Sequence, residues 1–126
     1  MAQTGAGFAP GRHAIEGIGR GGFLFAGMSH IGSILALPSG VHAWPVTTVA
    51  AITTDALDAV LAEAGSIGFL LIGTGDRFHP LPAQIQHRLR EAGLTFEAMS
   101  TSSATQTYNI LLDEGRAVAA ALIAIK

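Results

Sequence analysis

Ile67-Gly68-Phe69-Leu70-Leu71-Ile72 runs without a charge into Gly73-Thr74-Gly75. Six uncharged residues between glycines are too few for a buried helix. They suit a strand covered on both faces, as in a parallel sheet. Helical patterns stand on either side. Upstream, Thr53 or Thr54 can N-cap a helix with Asp55 and Asp58 in its first turns, where the helix dipole favours negative charge. Leu57, Val60, Leu61 and Ala64 share one face of it, and Gly65 follows as a left-handed cap. Downstream, a loop over residues 73–80 leads to a helix with Pro82 in its first turn. Ile85 and Leu89 face inward, and Gly93 ends it. Leu94, Phe96 and Ala98 alternate with Thr95, Glu97 and Met99, a strand pattern. Ser100 to Ser103 can cap a third helix to about Glu114, closed by Gly115. An apolar strand follows over residues 117–125. Strand–helix–strand–helix–strand predicts right-handed crossovers and parallel pairing, hence an α/β fold.

The first third reads differently. Residues 14–18 form a short strand, residues 19–22 a glycine turn, and residues 23–25 extended chain. Residues 26–30 read as a hairpin loop. Residues 31–37 make the next strand, ended by Pro38-Ser39-Gly40. Trp44-Pro45 makes residues 41–46 an irregular or edge segment. These are expected to be antiparallel hairpins. Residues 1–12 are expected to be a flexible tail and residues 13–126 one α/β domain, since 126 residues are too few for two.

Composition removes several classes of function. The chain is 49% hydrophobic and only 13% charged, against roughly 25% charged in an average protein, so it folds rather than staying disordered. A net charge of −2 offers no basic field, and no nucleic-acid partner is expected. With no cysteine, disulfides, thiolate metal sites and cysteine nucleophiles drop out. Lys126 is the only lysine, which excludes a phosphate-loop or Schiff-base lysine. Between Gly21 and Thr54 no charge occurs, yet Ser29, His30, Ser33, Pro38, Ser39, His42 and Pro45 interrupt the run. It is therefore no membrane span. A stretch so neutral is expected to be buried or covered by a partner, including a second copy.

Three motifs lose their chemistry on context. Gly17-Ile18-Gly19-Arg20-Gly21-Gly22 fits the dinucleotide pattern but leads into Phe23-Leu24-Phe25, a strand where that pattern needs a helix. Gly27-Met28-Ser29-His30-Ile31-Gly32 has one residue too many for a nucleophile elbow. His13, His30, His42, His79 and His87 show no local metal-ligand spacing. No cofactor or metal is expected, and no catalytic residue is assigned.

One constellation survives. Gly73, Thr74, Gly75 and Arg77 leave the carboxyl end of a buried strand. Thr101 and Ser102 do the same at a helix start. Ligands of open α/β sheets sit at that end, and adjacent loops there can present N–H groups and hydroxyls to a small anion. Turn shaping and helix capping explain the same residues without a ligand. In the last helix Tyr108, Leu111 and Leu112 form a core stripe, with Asn109 beside it to bond a loop backbone.

The ordered set Leu71-Ile72-Gly73-Thr74-Gly75, Met99 to Thr101, Thr107-Tyr108-Asn109-Ile110-Leu111, Glu114-Gly115-Arg116 and Ala119-Ala120-Ala121-Leu122 carries a resemblance. With Gly22-Phe23 to Gly32-Ser33 and Trp44-Pro45, it resembles the family of unknown function that contains mitochondrial complex I assembly factor 3 and the adipogenesis-associated domain protein. The likeness spans nearly all of the chain beyond the first dozen residues. It implies a three-layer α/β domain with a central mixed β-sheet flanked by helices, and no established catalytic residue or cofactor. It also implies a protein partner in assembling a membrane complex, with work peripheral to the inner membrane, while the Ala- and Gly-rich composition suits a bacterial cytoplasmic protein. Gln106 departs from the family, where arginine is expected in many bacterial members, and so removes charge from any anion site. The expected function is that of a non-enzymatic binding or assembly-type protein. The alternative is an anionic-ligand-binding protein or enzyme using the crevice near Thr74 and Thr101.

Overall fold

The structure, a computed structural model, describes residues 8–126. Strand β1 (Ala9–Pro10) opens it. A three-stranded antiparallel sheet follows, made of β2 (Ile15–Gly19), β3 (Gly22–Phe25) and β4 (Met28–Ile31). Then come β5 (Ser33–Leu37), β6 (Gly40–Trp44), a short α1 (Asp58–Ala62), β7 (Phe69–Gly73), α2 (Ala83–Glu91), β8 (Phe96–Met99), α3 (Thr101–Asp113) and β9 (Val118–Leu122). The central sheet is mixed and six-stranded, in the order β1-β6-β5-β9-β7-β8. Strand β7 pairs parallel with both β8 and β9, as its uncharged sequence predicts, while β9 meets β5 antiparallel.

Two cores cover the two faces of that sheet. On one face Leu70, Ile72, Ala119 and Ala121 pack with Val60 of α1 and Ile85 and Leu89 of α2. On the other, Leu71, Val118, Ala120 and Leu122 pack with Ala104 and Tyr108 of α3 and with Phe23 and Phe25 of the small sheet. The result is the expected three-layer α/β arrangement around a mixed sheet. The alternation of neighbours along β7 explains why its sequence has no polar face: each successive side chain enters a different core.

Four local expectations change. The loop expected at residues 26–30 is a tight turn, because Met28–Ile31 continues as β4 opposite β3. Ala26 and Gly27 both take positive φ there (51° and 72°), so the chain reverses in two residues. The segment expected to be irregular or an edge at residues 41–46 is strand β6 as far as Trp44, next to the outermost β1. It pairs with β5 throughout and with β1 at its start, and Pro45 falls just beyond it. Of the expected tail, residues 1–7 lie outside the described residues, whereas Ala9–Pro10 is paired as β1. The first helix is broken into 3₁₀ turns at Asp55–Leu57 and Ala64–Ser66 around α1. Gly65 lies inside the second turn without a positive φ, so it is not a left-handed cap. The Ile67 N–H bonds the Ala64 carbonyl, which leaves no role for such a cap. Gly93 and Gly115 do follow α2 and α3 with φ of 78° and 75°.

Candidate functional site

Parallel pairing brings the ends of β7, β8 and β9 together, and with them the predicted residues Gly73, Thr74, Gly75 and Thr101. The Thr74 N–H donates to the Met99 carbonyl at 2.8 Å. Its hydroxyl donates to the Arg77 carbonyl at 2.8 Å and accepts from the His79 N–H at 3.0 Å. The buried Thr101 hydroxyl accepts from the Gly75 N–H at 2.9 Å and donates to the Ile123 carbonyl at 2.6 Å. The Thr101 N–H donates to the Gly75 carbonyl, and the Ile123 N–H to the Gly73 carbonyl. These N–H groups and hydroxyls therefore bind the three strand ends to one another. No side chain fits at Gly73: a Cβ there would lie 2.8 Å from Thr101 Oγ1 and 3.0 Å from Leu122 Cδ2.

Thr101 does not cap α3. Ser100 does, its Oγ accepting from the Ser103 N–H at 3.3 Å. Arg77 and Ser102 are exposed, and Arg77 contributes its carbonyl to the Thr74 hydroxyl. The open space lies on the other side of the Thr74 loop. A cleft of about 950 Å³ runs between Thr47–Ala50 and the Thr74–Pro82 loop, floored by Ile123 and Ala124. Thr74, Gly75, Asp76 and His79 form one wall, and none of residues 100–103 reaches it. Apolar lining with a few polar groups suits an apolar ligand better than a small anion.

The remaining motifs resolve as structure. Gly17 to Gly22 spans β2, a turn and the start of β3, with no helix opening there, and Ser29 and His30 lie within β4. Among the described residues no group of three or more His, Asp or Glu could hold a metal ion. Asn109 bonds backbone as expected, but of a strand: its side chain accepts from the Ile15 N–H and donates to the Ile15 carbonyl, both at 2.8 Å. Burial pushes the Tyr108 hydroxyl pKa up, with Arg12 opposing the shift, and that hydroxyl donates to the His13 carbonyl.

Sequence reading missed one cluster. At the β5–β6 turn, Ser39 donates through its N–H and Oγ to the two carboxylate oxygens of Glu63, at 2.9 and 2.6 Å. His42 Nε2 stands 2.9 Å from the same Oγ. The serine proton goes to Glu63, so His42 acts as donor and this is not a nucleophile–base pair. Ser39 and His42 are neighbours across the turn, but Glu63 lies 24 residues beyond Ser39, and no spacing rule would have joined it to them.

The model of a family described as protein of unknown function (DUF498/DUF598) matches residues 15–123. An uncharacterized protein of Rhodobacter capsulatus is 40% identical over 98% of this chain and 93% of its own length. The human NADH dehydrogenase [ubiquinone] 1 alpha subcomplex assembly factor 3 is 34% identical over 81% of this chain, but the match spans only 55% of that protein. A crystal structure described as an outer membrane protein from Bartonella henselae superposes with a TM-score of 0.89 at 44% identity, covering 93% of this chain and 98% of that one. No helix among the described residues is long and apolar enough to cross a membrane.

Proposed function

This chain belongs to the DUF498/DUF598 family of proteins of unknown function, and on that premise we propose that it is a non-enzymatic, assembly-type binding protein. Its partner would be a subunit of a membrane-bound complex, met in the cytoplasm at the inner membrane. The observation that carries this reading is the similarity to complex I assembly factor 3 across most of the chain. The hydrogen bonds at Thr74 and Thr101 support it too, because groups that could have served a small anion are spent on holding strand ends. Affinity purification of the tagged protein from its own host, with membranes solubilised, tests it. A membrane-complex subunit should co-purify in stoichiometric amount. Recovery of the chain alone, from both membrane and soluble fractions, would overturn the reading.

The cleft beside Thr74 favours a second reading, a binding protein for a small, largely apolar ligand. Such a ligand would raise the melting temperature by mass action. Gly75, Asp76 and His79 should then shift in NMR spectra. A ligand screen that moves none of these resonances removes the alternative.

A further inference from the structure

The two edges of the central sheet are finished differently. At one, β1 is two residues long and ends in Pro10, so little of that edge can pair. At the other, β8 has no proline, lysine or bulge and, among the described residues, pairs only with β7. Its inward groups can be identified. The Leu70 N–H bonds the Thr95 carbonyl, the Thr74 N–H bonds the Met99 carbonyl, and Leu70 stands opposite Phe96. In a parallel ladder this register turns the backbone of Thr95, Glu97 and Met99 toward β7. The N–H and C=O groups of Phe96 and Ala98 therefore face outward, where no strand among the described residues meets them.

Beside this edge lies a cavity of about 480 Å³ between Phe78, Leu81, Leu94 and Phe96. Phe78 is 56% exposed at its rim. Arg90 also borders it, with its guanidinium 5.7 Å from the Phe96 ring centre. Arg90 donates to the Gln86 side chain but forms no ion pair among the described residues. The surroundings thus combine two outward backbone donors, two outward acceptors, a hollow with apolar walls at Phe78, Leu81, Leu94 and Phe96 and polar ones at Gln86, Thr95 and Glu97, and a cation without a close ion pair.

We propose that the β8 edge binds an extended segment of a partner protein by strand addition, with an apolar side chain in the Phe78–Phe96 hollow and an acidic one at Arg90. This rests on the assembly reading above and names its surface. Strand addition takes affinity from main-chain bonds and specificity from pockets for alternate side chains, and both are present here. A second copy in the fully overlapped register is a poor occupant. Two β8 edges in full antiparallel overlap would exchange bonds between Phe96 and Ala98, which sets Glu97 directly against its own counterpart. Like charges so placed are destabilising.

The test uses the whole protein and a capped synthetic peptide of alternating valine and threonine, with one leucine and, two positions along, one aspartate. Amide hydrogen exchange at Phe96 and Ala98 should slow by about tenfold or more at saturating peptide. Ala98→Pro removes one outward donor and no bond to β7, and should weaken the peptide by about three- to tenfold. Arg90→Glu should weaken it similarly, and replacing the aspartate by lysine should restore it. If Ala98→Pro does not fold, a peptide N-methylated opposite Phe96 and Ala98 takes its place and should not bind. No slowing at these two amides with millimolar peptide overturns the proposal. So does equal binding by a folded Ala98→Pro, or a dimer of the wild type that this substitution abolishes. A host partner captured equally by wild type and by folded Ala98→Pro would sink strand addition and leave the assembly reading intact. Capture of no partner by either would sink the assembly reading, and the peptide result would then decide the edge by itself.

Discussion

Strands β9 and β4 make an instructive pair. Every residue of β9, from Val118 to Leu122, is buried. Along β4, Met28 and His30 are partly buried, while Ser29 and Ile31 are exposed. The first strand is held by packing on two faces. The second is held by its turn, by the ladder to β3, and by the inner face of a small sheet. Burial is therefore two-sided in the central sheet and one-sided in the small sheet, which sends Phe23 and Phe25 into the core and leaves its other face to solvent. The largest test of that contrast is a matched pair of truncations. Leu71→Ala, fully buried in β7, should cost about 2–5 kcal/mol in urea denaturation. Leu24→Ala, 40% exposed in β3, should stay within about 0.5 kcal/mol. Comparable losses at the two sites would break the contrast.

The same comparison applies to two threonines one turn apart on α3. The Thr101 hydroxyl joins the Gly75 N–H to the Ile123 carbonyl, both buried. Thr105 Oγ1 is buried without a partner among the described residues. Thr101→Val would orphan a donor and an acceptor at about 1–3 kcal/mol each, for a loss of about 2–6 kcal/mol in all. Thr105→Val removes a group that already lacks its bond, and should be neutral or stabilising by up to about 1 kcal/mol. Equal destabilisation by both would mean that strand-end hydrogen bonding adds nothing beyond side-chain shape.

Asn109 couples the two regions, since α3 holds β2 through its paired bonds to Ile15. Asn109→Ala should cost about 1–2 kcal/mol. Amide exchange should quicken in β2 and β3 while β7 and β9 keep their protection. A uniform loss of protection would show that the small sheet and the central sheet open as one unit.

Legibility in the sequence follows the same division. The run from Phe69 to Gly73 and the alternating helices announced the parallel strands, because strands buried on both faces leave uncharged sequence and their crossovers leave helical periodicity. Gly93 and Gly115 marked helix ends for the same local reason. The region from Met28 to Trp44 was harder to read. Its strands are short and joined by connections of one or two residues, so the half-exposed Met28–Ile31 resembled a loop and Pro45 concealed a paired β6. The helix ending at Ala64 was misjudged because apolar spacing does not separate one helix from α1 set between 3₁₀ turns. At the candidate site, proximity of Thr74 to Thr101 was legible from topology. That their hydroxyls bond strand ends was not, because donors and acceptors can be counted only once β9 is in place. The β8 edge was equally hidden, since pairing on one side leaves no mark on Phe96 or Ala98.

The smallest expected effect lies at the far end of the central sheet, where His42 on β6 faces Ser39, Glu63 and the Phe8 ring, 4.6 Å away between ring centres. Burial lowers the His42 pKa below its ordinary value, and the Glu63 carboxylate opposes that shift only in part. The unfolded chain therefore takes up this proton before the folded one does as pH falls. Stability contributed by neutral His42 is complete above about pH 6.5 and is lost as pH drops through that value toward the lowered folded pKa. Because His42 is only partly buried, solvent screening holds the effect under about 1 kcal/mol. His42→Gln keeps a donor for Ser39 but cannot take a proton. Between about pH 7.5 and pH 5.5 the wild type should lose more stability than this variant, by a few tenths of a kcal/mol in paired urea titrations. Other titrating groups are common to both proteins and cancel in the difference. A variant that loses as much as the wild type would assign the pH response elsewhere. One that loses more would reverse the sign and mean that Glu63, rather than burial, governs His42.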